Sequence, residues 1–426
     1  MSDRGHETAA EAARGRRRPG RRGLLAAGGR ALLIVAMLGC VPFFVLALVH
    51  LPGGSLLFDF RGGLYNAGTA IIHGRSPYQP AFLAHQAAIM RAGGVAQGET
   101  FRNPFSIPVY PAPANLAVIP FSLLPFWLAG TLFMLLSIAA MMIGIALLGV
   151  RDWRCIALTL LCWPFIYGLY LGALGPFLVL GAGVAWRWRA RLWPPAIAVA
   201  ALVVTKIFPW PLAIWLLITR RLRTLALAVA IGLVATLAAW AATGFDGFAQ
   251  YPQMLSNLSF IQEGRAVSLV AVLLAIGFPA GGADAVALAT TATLLALAWR
   301  IARRPDGDRK AFGLAIIAAL TCTPIVWDHY MVLLFVPIAL SSPRCSAIWF
   351  LPLSTPVILG LWIAVFHIPA ANTLGSAVLW LVLEAVVAVE LCRHEHVAAA
   401  ASELPISGPS RLRNRSPARA LERVSV

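Results

Sequence analysis

The chain has 426 residues, 60% of them hydrophobic and only 12% charged, with a mean hydropathy of +0.80. Soluble domains run at about 45–50% apolar and about 25% charged, so a water-soluble fold could not hide this surface, and lipid must be the solvent for most of the chain. The formal net charge of +17 lies in arginine clusters at the termini and between apolar runs, which is the distribution of the positive-inside rule and argues against a nucleic-acid partner.

Residues 1–30 are polar and rich in Arg, Gly and Ala, and read as a disordered basic cytoplasmic tail. The apolar run 31–49 exceeds the roughly 7–15 residues of a signal-peptide core and reads as the first transmembrane helix. It delivers residues 51–112 to the outside, a segment with Asp59, Tyr65, His73, Arg75, Tyr78, His85, Arg102 and Tyr110, punctuated by Pro and Gly into short surface helices. Residues 113–124, bounded by Pro113 and Pro125, are too short for a hydrocarbon core of about 30 Å and read as a half-helix.

From there the expected passes are 126–150, 155–171 and 175–186, returning to Arg187, Arg189 and Arg191. Pro194 to Thr219 has arginine clusters at both ends, so about 26 residues must rise and come back, too few for two full spans. The break falls at Lys206-Ile207-Phe208-Pro209 and puts a lysine at the apex of a short helical hairpin. A charge at that depth is tolerable only inside protein or beside a wet cavity. Then come a pass over 224–243, a second external segment at 244–266 with Asp246, Tyr251, Asn257, Glu263 and Arg265, and a half-helix at 267–279. Passes over 284–300, 311–323, 331–341, 346–366 and 372–391 complete the order. The fold class is all-α and polytopic, with about twelve passes and both termini in the cytoplasm; residues 31–392 form one membrane domain and 393–426 a second basic tail. The six cysteines lie in or beside apolar segments without CxxC spacing and read as core residues, neither metal site nor disulfide framework. No metal and no cofactor is expected.

Drawn on this topology, Asp59, Lys206, Glu263, Arg265, Asp328 and His329 all fall at the outer ends of helices or in outer loops. Ionisable side chains converging at one membrane level mark a functional site. Phe58-Asp59-Phe60-Arg61-Gly62-Gly63-Leu64-Tyr65, continuing to Gly74-Arg75-Ser76-Pro77-Tyr78, resembles the first-loop signature of family 87 glycosyltransferases. The resemblance continues through Tyr110-Pro111, Lys206 to Pro209, the loop from Asn257 and Ser259 to Arg265, and Trp327-Asp328-His329-Tyr330, and covers roughly residues 30–392. It implies a GT-C membrane fold and an inverting, polyprenol-phosphate-mannose-dependent mannosyltransferase working at the outer face. Asp59 would be the catalytic base, its apolar neighbours raising its pKa. Lys206, Arg265 and His329 would hold the donor phosphate, and Tyr65, Tyr78, Asn257, Trp327 and Tyr330 would line the substrate site. The half-helices 113–124 and 267–279 would shape a lateral groove for the prenyl chain. The Asp59–Tyr65 spacing is one residue longer than the family's usual pattern, which weakens Tyr65 more than Asp59. The implied partners are a polyprenyl-phosphate-sugar donor, a lipid or glycan acceptor and membrane lipids. A transporter or flippase of lipid-linked saccharides is the alternative, although it would want its polar site near the midplane.

Overall fold

The computed structural model describes residues 56–91, 109–262, 266–353 and 373–393, and every regular element among them is helical. The expected first helix, Arg102, Glu263, Arg265, residues 354–366 of the expected penultimate helix and nearly all of both basic tails lie outside the described residues.

A π-helix, Asp59–Tyr65, opens the order and runs into α1 (Asn66–Ile72); α2 (Pro80–Arg91), α3 (Ala112–Ala117) and α4 (Ile119–Ser122) follow. The expected half-helix is thus two shorter pieces, with Pro113 and Pro120 each in a first turn, where a missing N–H costs nothing. Next come α5 (Phe126–Leu147), α6 (Trp153–Leu161), α7 (Trp163–Leu171) and α8 (Gly175–Arg187). α6 and α7 meet at 56°, where Pro164 cannot continue the hydrogen-bond ladder of the preceding helix. α9 (Trp193–Thr205) and α10 (Pro211–Ile218) are the arms of the expected hairpin. At about 1.5 Å per residue they are roughly 20 and 12 Å long, and neither crosses a bilayer alone. The rest are α11 (Leu222–Ala242), α12 (Tyr251–Gln262), α13 (Leu269–Ala275), α14 (Ala280–Ala302), α15 (Gly307–Thr321), a 3₁₀ turn Asp328–Leu334 into α16 (Phe335–Ser341), a 3₁₀ turn Ala347–Phe350, and α17 (Thr373–Arg393).

Four helices are long and apolar enough to cross a membrane, or five with the bent pair counted as one. The described residues therefore show fewer full-length passes than the twelve expected, because proline and glycine divide several apolar runs into pieces of 7 to 15 residues. α15 is buried from Ala311 to Thr321 and packs against α10, α14, α16 and α17. One end of it is polar. Asp308 accepts hydrogen bonds from Trp215 Nε1 at 2.9 Å and from Arg221 at 2.7 and 2.9 Å, and Arg189 Nε stands 3.2 Å away. Thirteen helical steps on, roughly 20 Å along the axis, α15 stops at Thr321, and the non-helical stretch that follows forms one wall of the site.

Candidate active site

Asp59 stands in the first turn of the π-helix, where Phe58 rather than Asp59 is the N-cap. The helix is pinned on both sides. Leu57 N–H donates to the Tyr170 carbonyl of α7 at 2.7 Å, and Leu57 itself is buried with a φ of 59°, a left-handed conformation costing a non-glycine residue about 1–2 kcal/mol. Strain of this size persists only where the surroundings over-determine it, and such positions cluster at active sites. Phe60 is fully buried, stacks on Phe133 at 4.3 Å and meets Phe121 edge-on. Gly172, which caps α7 at φ 71°, makes room for it, since a Cβ there would stand 2.5 Å from Phe60 Cβ. With one neighbour sunk in this aromatic nest, Asp59 is turned into the cavity with a side chain 25% exposed. The segment from Asp59 to Tyr65 is wound as a π-helix, whose hydrogen bonds close i→i+5.

Lys206 ends α9 in an extended conformation, φ −146° and ψ 113°, so its side chain leaves the helix axis at the hairpin apex. Its ammonium lies over two rings, 4.1 Å from the centre of Tyr110 and 4.9 Å from that of Tyr330. Aromatic faces stabilise a desolvated cation without neutralising it. Among the described residues no carboxylate comes within ion-pair distance of it; Asp59, in the same cavity, acts on it from further away.

The third wall is the stretch from Cys322 to Trp327. It alternates as an extended chain must: Thr323, Ile325 and Trp327 face the cavity, while the backbone between them is tied the other way. Ser268 Oγ donates to the Pro324 carbonyl and Val267 N–H to the Val326 carbonyl, each at 2.7 Å. Asp328 ends this pattern and is turned out of the cavity, accepting from Trp380 Nε1 at 2.7 Å and Ser376 Oγ at 3.3 Å on α17. His329, one residue on, faces in. It is 2% exposed, its Nε2 lies 4.0 Å from Asp59 Oδ2, and neither ring nitrogen has a hydrogen-bond partner among the described residues. The backbone of α7 passes so close that a Cβ at Gly168 would meet His329 Cβ at 3.2 Å.

These walls enclose a cavity of about 520 Å³ lined by Asp59, Lys206, His329, Trp327 and Tyr330 together with Tyr110, Tyr167, Tyr251, Ser259 and Thr323. Asp59 lies outside the candidate spans, and burial pushes its pKa up to about 6, with the Lys206 ammonium pulling the other way. A carboxylate base, a ring-clamped cation and an orphaned imidazole thus share one space, which is enough to take a proton and to hold an anion.

Five of the expected site residues meet here. Arg265 lies outside the described residues. Three others are placed elsewhere. Tyr65 OH donates to the Leu124 carbonyl at 2.7 Å. Tyr78 OH donates to the Tyr110 carbonyl and accepts from Asn115 Nδ2, both at 2.6 Å, so it fastens the cavity wall from behind. Asn257 is half-buried on α12 and accepts from Gln253 Nε2 at 3.3 Å, away from the cavity lining. Tyr167, by contrast, lines the cavity without having been expected there, because it stands in an apolar helix with no motif around it. The chain matches no curated protein and no solved structure. Residues 109–326, just over half of the chain, match the model of glycosyltransferase family 87.

Proposed function

The chain belongs to glycosyltransferase family 87, and on that premise we propose that it inverts a glycosidic centre, moving a hexose, mannose in the first instance, from a polyprenyl-phosphate donor to a hydroxyl of a lipid or glycan acceptor. In a single displacement the acceptor oxygen attacks the anomeric carbon from the face opposite the phosphate. Asp59 takes the hydroxyl proton, the new C–O bond forms as the bond to the phosphate oxygen breaks, and the lipid phosphate leaves with the electron pair. Lys206 meets the charge that develops on it, with Arg265 as a further cation. His329, 4.0 Å from Asp59, serves either as a donor to that phosphate or as the partner that orients the base. Trp327 and Tyr330 would bound the sugar.

The observation that carries this reading is the convergence of Asp59, Lys206 and His329 on one cavity from segments far apart in the chain. The membrane orientation rests on charge. Arg187, Arg189, Arg191, Arg220, Arg221, Arg223, Arg303, Arg304 and Lys310 gather towards the Asp308 end of α15, and the positive-inside rule assigns that end to the cytoplasm. The cavity then opens at the outer face of the plasma membrane, with both termini inside.

Purified protein, polyprenyl-phosphate mannose and a membrane lipid extract, with product read by mass spectrometry, test the proposal. Asp59→Asn is expected to lose about 10²–10⁴-fold in transfer, the range of general-base catalysis. Full activity in that variant would remove Asp59 as the base, and movement of saccharide across vesicles without a covalent product would mark a transporter.

A further inference from the structure

Glu384 takes no part in the proposed transfer, and its position is costly. It stands next to the midpoint of α17, a helix apolar enough to cross the membrane, and it is buried there. Among the described residues no Lys, Arg or His forms an ion pair with it. An ionisable side chain at such a depth is expensive and points to function before structure.

Its partner is Thr321. The Thr321 hydroxyl donates to the Ile317 carbonyl at 3.0 Å, back along its own helix, and reaches Glu384 Oε2 at 3.4 Å. The second distance is long for a hydroxyl bond, as expected when one hydrogen serves two acceptors. The hydroxyl is therefore satisfied without Glu384. Ser137 and Thr291, equally buried, manage with the same bond to a carbonyl four residues back, at 2.8 Å each. Hydrogen-bond accounting in the core does not require a carboxyl beside Thr321.

What the contact supplies is placement. Thr321 is the last residue of α15, and the cavity wall begins at the next one. The far end of that wall, Asp328, is tied to Ser376 and Trp380. Ser376, Trp380 and Glu384 recur at a spacing of four, so one face of α17 holds the wall at both ends. Between the two ties Thr323, Ile325 and Trp327 line the cavity, and His329 follows directly after the second.

We infer that Glu384 is a positioning residue: by holding Thr321 against α17 it fixes where the wall leaves α15, and with it where Trp327 and His329 stand. It does not itself line the cavity. The kinetic half of the test rests on the transferase reading. Glu384→Leu removes the polar group at similar volume, Thr321→Val removes its partner, and Glu384→Gln keeps the reach with a donor and an acceptor. Glu384→Leu and Thr321→Val are each expected to lose about tenfold in kcat, the order that a small misplacement of a reacting group produces. KM should change less than twofold, because Lys206 stands on another element. The melting temperature should hold or rise, since an apolar group of similar shape replaces a buried polar one. Glu384→Gln should keep kcat within about twofold, and the double variant should be no slower than the slower single, because both changes cut one tie. Full kcat in Glu384→Leu, a Gln variant as slow as the Leu variant, or multiplying losses in the double variant would overturn the inference. So would a kcat kept by the folded fraction while the melting temperature falls, the mark of a purely structural residue.

A second measurement needs no turnover. Diethylpyrocarbonate modifies imidazole, and the His329 peptide can be followed by mass spectrometry. His329 is 2% exposed in the intact wall and should react slowly in wild type and in Glu384→Gln, and severalfold faster in Glu384→Leu and Thr321→Val. Equal rates in all four proteins overturn the inference whatever the turnover. Faster labelling in the two variants of a protein that transfers no sugar would leave Glu384 as the residue that places His329, and would remove the transferase reading instead.

Discussion

A carboxylate reluctant to ionise is a useful base only while it is ionised, and that sets the pH dependence of Asp59. Its pKa is raised to about 6 by burial and held from rising further by Lys206. Proton acceptance needs the anion, so kcat/KM is expected to climb through about pH 6 and to flatten above it. Lys206→Met removes the charge that favours the anion, so the acid limb should move to higher pH in addition to any loss of donor affinity. A limb that stays in place in Lys206→Met would show that the two groups do not interact. Asp328 permits a sharper distinction. Its carboxylate accepts from Trp380 and Ser376 and faces away from the cavity, so it is expected to tie the start of the turn that carries His329 to α17 without touching substrate. Asp328→Asn keeps an oxygen that can accept both bonds and should stay active. Trp380→Phe abandons a buried acceptor, worth about 1–3 kcal/mol, and should lose roughly tenfold or more in kcat, with local loosening of residues 322–334 in hydrogen exchange. The reverse pattern, a dead Asp328→Asn and an unaffected Trp380→Phe, would make Asp328 catalytic. In the sequence Asp328 and His329 look equivalent. Asp328 and His329 open a 3₁₀ turn, which points consecutive side chains about a third of a circle apart, and nothing in the letters says which of them meets the cavity.

Among the elements, the hairpin of α9 and α10 was legible because its evidence is arithmetic: two arginine clusters about 26 residues apart and a proline next to the only break. The π-helix was not legible, since nothing in the residues Asp59 to Tyr65 distinguishes i→i+5 from i→i+4 winding, and only packing decides. The same packing sends Tyr65 and Tyr78 to backbone carbonyls, so two tyrosines that read as substrate contacts act as fasteners of the cavity wall. Their hydroxyls would suit either role until the neighbours are known. The junction of the π-helix with α7 is where this arrangement can be probed. Gly172 is in the left-handed region and against Phe60 Cβ. Gly172→Ala should lower stability by about 1–2 kcal/mol from the backbone alone, more once Phe60 is displaced, and should cost activity by moving Asp59. A thermal melt in detergent with the same midpoint as wild type would contradict this account of the junction.

At the scale of the molecule, the chain divides its charges between two ends of one buried helix. The family match ends at residue 326 and begins at 109, so Asp59 and His329 lie outside it and reach Lys206 only through the fold, whereas the polar lock around Asp308 lies wholly within the matched stretch. The two ends should fail differently. Asp308→Ala strands Arg221 and takes an acceptor from Trp215. Hydrogen bonds to a charged group are worth about 1.5–3 kcal/mol, and Asp308 is 31% exposed, so screening should bring the loss towards about 1–2 kcal/mol. The remaining folded protein should keep its KM and the acid limb near pH 6, because roughly 20 Å of rigid helix separates the lock from the cavity. Asp59→Asn should do the opposite, with the melting temperature kept or raised, since an uncharged amide replaces a poorly solvated carboxylate, and with turnover lost. Measuring melting temperature and the pH profile for both variants separates a scaffold that places the site from one that takes part in it. If Asp308→Ala moved the acid limb, the two ends would be coupled through α15, and the helix would be a transmitter instead of a strut.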